Sequence, residues 1–312
     1  MAQLTQLTEL PIIDPRLRRL SYSGRTTLHR CPRKYQLQKI SKIPYDREDN
    51  VTLAFGTVVG LGIQSTLENK DWNTIVFEMF LAWSLADLYD AEPKTKKSFL
   101  EAIFAVQCFA SIRNTALADY NLAYFNEKPA VELSFRIALM GGFTYRGFVD
   151  VVLQHKTTGK FLVLEVKTTG AKYVSEAAYK NSSQALGYSL ILDSIAPNES
   201  EYEVWYLVYM SSMQQYEVMP FRKHYSDRAF WIQELVMDVN RIQEYESSGR
   251  YPSYGESCND YFRPCEFYSN CTMSTKMLEI PFDSDTMQET TDYMLELNLI
   301  DIINSQLNRQ EI

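Results

Sequence analysis

The stretch GFVDVVLQHKTTGKFLVLEVK, residues 147–167, reads as two apolar strands joined by a polar turn. With a four-residue loop from Lys156 to Gly159, His155 faces Lys160, and counting back along both strands sets Asp150 opposite Glu165. Glu165 and Lys167, at i and i+2, share one face of the second strand. Two carboxylates and an ammonium are thus expected on one side of a hairpin.

Opposed residues of an antiparallel pair have Cα atoms about 4.5–5.5 Å apart, so two carboxylates placed there repel unless a cation lies between them. Mg²⁺ or Mn²⁺ is the natural occupant, because these ions prefer oxygen ligands. Lys167 could then orient a water or offset charge on a phosphate, a geometry suited to cleaving phosphodiesters. An isolated E-x-K is ordinarily a salt-bridged surface pair. Here Glu165 interrupts an otherwise apolar run, and a charge in such a run needs a partner.

At these residues the chain resembles the PD-(D/E)XK nuclease superfamily, and within it the RecB-like branch that includes CRISPR adaptation nucleases and phage exonucleases. Asp150, Glu165 and Lys167 match its D…ExK core, and Gln184 and Tyr188 in SQALGYSL match the Q-x-x-x-Y motif. In the family that motif lies on a helix beside the active site and contacts nucleic acid; its i, i+4 spacing puts both residues on one helical face. The resemblance implies a restriction-endonuclease-like α/β core and catalytic roles for Asp150, Glu165, Lys167, Gln184 and Tyr188. It also implies a metal held by Asp150, Glu165 and the backbone carbonyl of Val166.

The cysteines are a second signal. Cys258, Cys265 and Cys271 form C-x6-C-x5-C, and Cys31 stands near the other end in HRCPRKYQ. Nothing at the N-terminus resembles a secretory signal, so metal ligation is favoured over disulfides. RecB-like nucleases of the iron–sulfur type carry one cysteine before the nuclease core and three after it. The resemblance therefore implies a [4Fe–4S] cluster on Cys31, Cys258, Cys265 and Cys271, clasping the two ends of the domain. The first gap is six residues where better-known members have two, and four thiolates also suit Zn²⁺. Cys108 sits in an apolar helical run and reads as a small core residue.

The chain has 312 residues, 46% of them hydrophobic, enough for one large domain. No apolar run is long enough for a membrane span. Net charge is −8, but Arg16 to Lys42 contains many basic residues and no acidic one. This arm could track phosphates through Arg25, Arg30, Arg33 and Lys34, with Tyr35 and Tyr22 stacking on bases, or it could be a solvated helix face. SYSGRTTLHRCPRKYQ resembles the opening of these nucleases, with Ser21 and Ser23 placed as helix caps.

The pattern predicts a tail over 1–20, a nuclease domain over 21–278 and an acidic tail over 279–312 whose apolar stripe packs on the domain or docks a partner. Within the domain it predicts a basic helix from Gly24 to Ile40, a helical insertion over about 71–125 and cysteines over 258–271. Strands are expected at Ala130–Met140, Phe143–Gln154, Lys160–Thr168, Tyr202–Met210 and Gln214–Phe221, and a long helix at Ser226–Ser247. This order suits a central mixed sheet flanked by helices.

One family motif is incomplete. Phe55, Gly56 and Thr57 match F-G-T-x-x-H, but Gly60 occupies the histidine position and Gln64 a common glutamate position. A site of carboxylates and waters still accepts Mg²⁺; alternatively the site is degenerate and the protein binds DNA without cutting it. Glu132, on the preceding strand, is either an additional acid or an exposed strand residue. No Walker or G-x-S-x-G motif is present, which argues against a helicase or an acyl hydrolase. The expectation is a cytoplasmic nuclease of a prokaryote or phage, acting on single-stranded DNA or DNA ends in recombination, repair or replication. A partner helicase or recombination protein could accompany it. The competing class is a non-catalytic subunit of a DNA-processing complex.

Overall fold

The computed structural model describes residues 18–43, 51–83, 96–196, 201–260, 263–268, 271 and 294–308. Residues 1–17 of the expected N-terminal tail, and 279–293 and 309–312 of the expected acidic tail, lie outside the described residues. In chain order, β1 (Arg19–Leu20), α1 (Tyr22–Arg30), α2 (Pro32–Tyr35), α3 (Val51–Leu67), α4 (Trp72–Ala82) and α5 (Phe99–Asn114) come first. They are followed by β2 (Tyr120–Leu122), the small hairpin β3 (Tyr124–Phe125) and β4 (Lys128–Pro129), and long strands β5 (Val131–Ala138), β6 (Thr144–His155) and β7 (Phe161–Thr169). Helices α6 (Glu176–Lys180) and α7 (Ser183–Ile195) lead to β8 (Glu201–Met210), β9 (Gln215–His224) and α8 (Tyr225–Ser248). The last elements are β10 (Asn259–Asp260), β11 (Arg263–Pro264), β12 (Leu295–Asn298) and α9 (Leu299–Asn308).

The main sheet has the order β12-β5-β6-β7-β8-β9, with β1 and β2 also on β6. It is mixed: β6–β7 and β8–β9 are antiparallel, while β7–β8 and β12–β5 are parallel. The expected α/β architecture is thus observed, and each expected strand is found with ends shifted by a few residues at most. The hairpin register is also the expected one. His155 N bonds Lys160 O at 2.8 Å, and Gln154 pairs with Phe161 and Val151 with Leu164. The turn closes on Gly159, whose φ of +70° is a left-handed conformation that glycine adopts without steric cost.

The chain forms two compact units, Met1–Asp46 with Ser134–Gly147 and Phe230–Ile312, and Arg47–Leu133 with Phe148–Ala229. In the second unit, α3, α4 and α5 bury Phe55, Val58, Ile63, Met79 and Phe109 against Val151, Leu153, Leu162, Leu164, Leu207 and Tyr209. Those six sheet residues share one face by strand alternation. Fully burying each such side chain stabilises by about 1.5–3 kcal/mol, so this layer anchors the β6–β7 hairpin. Gly62 permits the close approach: a Cβ there would lie 2.5 Å from Val106 and 2.8 Å from Met79. On the opposite face, α7 packs against β7 and β8, and Tyr179 of α6 meets Tyr206 with ring centroids 4.9 Å apart.

Two expectations need correction here. The insertion stops being helical at Asn114, because Tyr120–Leu122 has a free ladder to join, with Tyr120 opposite His155. The basic helix is also not continuous. Pro32 disfavours helical backbone at the residue before it, and Cys31 is extended at φ −157°, ψ 104°. The chain restarts as α2 and ends in a π-turn over Gln36–Ile40. Ser21 does cap α1, accepting from Gly24 N at 3.1 Å, whereas Ser23 lies within the helix.

The first unit contains a buried ionic group. Asp238 of α8, 2% exposed, accepts from Arg25 Nε at 2.6 Å and pairs with His29 Nε2 at 2.7 Å. The Arg25 guanidinium lies 5.2 Å from the Trp231 ring centroid, and Trp231 in turn packs edge-on against Tyr145. Burial raises the Asp238 pKa, but the His29 hydrogen bond and the Arg25 charge outweigh it and hold the carboxyl below its ordinary value.

Candidate active site on the β6–β7 hairpin

Regular pairing of β6 and β7 is recorded as far as Val151 and Leu164. One step further on stand Asp150 and Glu165. Asp150 Oδ2 accepts from Val166 N at 2.9 Å, so the carboxylate satisfies a backbone donor of the neighbouring strand. Glu165 is 1% exposed and its Oε1 accepts from Lys167 Nζ at 2.5 Å and Gln184 Nε2 at 2.7 Å. Gln184 Nε2 also bonds the Tyr188 hydroxyl at 2.7 Å, and that hydroxyl donates to Phe148 O at 2.8 Å. The five sequence-predicted residues are therefore brought together. Gln184 and Tyr188 hold the acid from α7, the side of the sheet opposite the α3–α5 layer.

Electrostatics at this point are unfavourable without a cation. Burial, then the charge of Glu165, push the Asp150 pKa well above its ordinary value, although Lys167 works the other way. Burial also raises Glu165, despite Lys167 beside it. Among the described residues, none donates a hydrogen bond to the buried Glu165 Oε2. A buried carboxylate oxygen without a partner is costly, and a divalent ion between the two acids would relieve both the repulsion and the missing partner. Among the described residues, no three His, Cys, Asp or Glu side chains are gathered closely enough to hold a metal by themselves. The donor set fits Mg²⁺ or Mn²⁺, which take two carboxylates and complete the shell with carbonyl oxygen and water.

Glu132 is exposed, has a left-handed φ of 45°, and accepts from Gln64 Nε2 at 2.9 Å. Its charge adds to the upward push on Asp150. Gln64, noted in the sequence only as a departure from the family pattern, thus tethers a third acid. One turn earlier on α3, a Cβ added at Gly60 would meet nothing within 4 Å, while one at Gly56 would lie 3.3 Å from Thr168 Oγ1. Among the described residues, nothing crowds the histidine position.

The basic arm is only partly available to a ligand. Arg25 is 2% exposed and bound to Asp238, and Tyr35 is 1% exposed, with its hydroxyl on Arg19 O at 3.4 Å. Neither can meet DNA as placed, because both side chains are packed inside the first unit. Arg30 is exposed, Arg33 bonds Gln36, and Lys34 pairs with Glu266 at 2.9 Å. Asp238 lies 213 residues from Arg25, and no local pattern announces that pairing.

The same unit holds all four cysteines of the predicted cluster. Ser257 Oγ bonds Arg30 O at 2.6 Å across 227 positions, and Cys265 N bonds Cys258 O at 2.8 Å. Cys265 and Cys271 pack with Phe267, Leu37 and Ile43. Cys31 is buried, its sulfur accepting from Lys34 N at 3.4 Å, while Cys258 is exposed. Burial first, with Cys258 contributing, raises the Cys265 thiol pKa. The donor chemistry suits iron or zinc, but the side chains as placed do not enclose an ion. Cys108, on α5, is outside this group.

A search of solved structures finds a candidate exonuclease from Eubacterium rectale, 12% identical, with a TM-score of 0.47 over 88% of this chain and 94% of that one. It also finds SSO0001, 15% identical, with a TM-score of 0.32 over 82% of this chain and all of that one. No curated protein matches the sequence. Among the described residues, no helix is long and apolar enough to cross a membrane. The family model of the PD-(D/E)XK nucleases matches residues 19–272, most of the sequence including the β6–β7 hairpin, and the chain belongs to the PD-(D/E)XK nuclease superfamily.

Proposed function

We propose that the protein is a metal-dependent DNA nuclease, most simply an exonuclease acting on single-stranded DNA or DNA ends. The observation that carries this reading is Glu165: buried beside Asp150, held on one oxygen by Lys167 and Gln184, and with no donor to the other among the described residues. Asp150, Glu165 and the Val166 carbonyl would hold the ion, with Glu132 near enough to influence it. A divalent cation there would acidify water and offset charge on the phosphate. Lys167, 37% exposed, keeps its ammonium at the edge of the acid pair, where it can orient water or neutralise the departing oxygen. Gln184 and Tyr188 keep Glu165 from turning away. The setting is recombination, repair or replication in the cytoplasm, with a helicase or recombination protein as partner. The test is incubation of end-labelled single-stranded DNA with Mg²⁺ or Mn²⁺, comparing the native chain with site variants. Retained binding without cleavage would instead favour a non-catalytic subunit, the reading that the missing imidazole at Gly60 favours.

The acid pair also predicts a stability effect. Both folded-state pKa values lie above the ordinary 3.8 and 4.5, so these groups favour folding most when protonated. That contribution is full below the ordinary carboxylate range and is lost as pH rises through the raised values. Asp150→Asn should therefore melt above the native chain in EDTA, with a gap that widens as pH rises from the ordinary carboxylate value of 3.8 through the raised one. Mn²⁺ at about 100 times its Kd should stabilise the native chain by about 2.7 kcal/mol and leave the variant unmoved. Equal metal shifts for both chains in scanning fluorimetry would remove Asp150 from the metal site.

The four cysteines are the proposed ligands of a [4Fe–4S] cluster, or of Zn²⁺, with a structural role in fastening residue 31 to residues 258–271. Support comes from the convergence of these segments in one unit. Anaerobically purified protein should contain iron and absorb broadly in the visible range, and Cys31→Ser should lose both signals. Stoichiometric zinc without iron would replace the cluster by a zinc site, and neither metal would dismiss both.

A further inference from the structure

Phe148 stands two residues before Asp150 on β6, so alternation puts both side chains on the face opposite Val149 and Val151. It is 51% exposed, whereas Val149, Val151, Val152 and Leu153 on the same strand are at most 1% exposed. An exposed apolar side chain is common enough by itself. This one is distinguished by where it is fixed. The Phe148 carbonyl accepts from Tyr188, Tyr188 is bonded by Gln184, and Gln184 bonds Glu165. A short chain of hydrogen bonds thus sets the backbone that carries the ring relative to the acid pair. Successive same-face residues of a strand are about 6.5–7 Å apart, a separation suited to a phosphate at Asp150 with its base over the ring. A flat apolar surface beside a phosphate-directed site complements an unpaired nucleobase, whose π-face stacks on an aromatic ring whatever its sequence. A base inside a duplex has both faces covered by its neighbours and would have to leave the stack first.

Resting on the nuclease reading above, we infer that Phe148 is a base-stacking platform. It seats the unpaired nucleobase next to the cleaved phosphodiester and so makes single-stranded DNA, or a frayed end, the preferred substrate.

The experiment uses the full chain and has a binding arm and a cleavage arm. In the first, 2-aminopurine is moved one position at a time along single-stranded DNA in EDTA. One position should be quenched by the native protein and by Phe148→Trp, but not by Phe148→Ala or Phe148→Leu. In the second, an abasic site is moved along the labelled strand with Mn²⁺ present. Native cleavage should fall by about 5- to 150-fold at one position, the range that stacking one base corresponds to. Phe148→Ala should be slowed by a similar factor on the intact strand and be indifferent to the abasic site. Its melting temperature should be unchanged, because the ring is half exposed. No quenched position with the native protein, or equal cleavage by native and Phe148→Ala chains, would overturn the stacking role while leaving the nuclease reading intact. Position-specific, Phe148-dependent quenching without any cleavage would keep the platform and dismiss the nuclease.

Discussion

Asp150→Ala should bring degradation of single-stranded DNA down to background, and Lys167→Ala should lower it by about 10²–10³-fold, the usual effect of deleting one group that stabilises developing charge. The two losses have different origins. Asp150 is one of the two buried carboxylates that the described residues bring to this end of the hairpin, so its removal breaks that pair and weakens the hold on any divalent ion. Lys167 bonds Glu165 Oε1 at 2.5 Å, and its loss removes both an ammonium at the phosphate side and a partner of a buried acid. Lys167→Ala should therefore also melt at a lower temperature than the native chain, whereas Asp150→Asn, which relieves repulsion and keeps an acceptor for Val166 N, should not. Raising Mn²⁺ should rescue part of a binding defect but not the missing ammonium. Equal degradation by all three proteins would assign the activity to a contaminant and dismiss the site.

Asp238→Ala should destabilise the protein by about 3–5 kcal/mol, because it leaves Arg25 buried and charged without its carboxylate. The loss is read as a lower midpoint in urea, with fluorescence of the buried Trp231 reporting on its cation contact. Asp238→Asn keeps a hydrogen-bond acceptor and should fall between the two. His29→Ala should matter less, since His29 is 46% exposed and water can replace it. Because the folded-state pKa of Asp238 is depressed, its contribution is present above the ordinary carboxylate value of 3.8 and is lost as pH falls through the lowered value. Acid should narrow the gap between native and Asp238→Ala chains over that window. A gap that stays constant down to full protonation would show that the carboxylate charge is not what holds Arg25.

Much of the site was legible because hairpin geometry is local. Four turn residues, a glycine at the left-handed position and two apolar runs leave one register, and that register sets Asp150 opposite Glu165. The spacing of Gln184 and Tyr188 announced one helical face, but not that Gln184 would bond Glu165 and Tyr188 at once. The basic arm was misread at Arg25 and Tyr35 for a related reason. A run of cations looks solvated until a distant helix supplies a buried acid. The break at Cys31 had a signal in Pro32, whose steric demand on the preceding residue outweighs the helical pattern around it.

The sequence by itself determined the strands, their order along the chain and the placing of Asp150 and Glu165 across one hairpin, since alternation and turn chemistry act over a few residues. Only the tertiary structure decided which polar groups became partners: Gln184 with Glu165, Gln64 with Glu132, Arg25 with Asp238. It also decided that the four cysteines come into one unit without enclosing an ion, and that Phe148 stays uncovered beside Asp150. The physical reason is that burial is a property of packed surfaces. A charge or ring takes its role from what covers it, and that cover comes from segments far away in the chain.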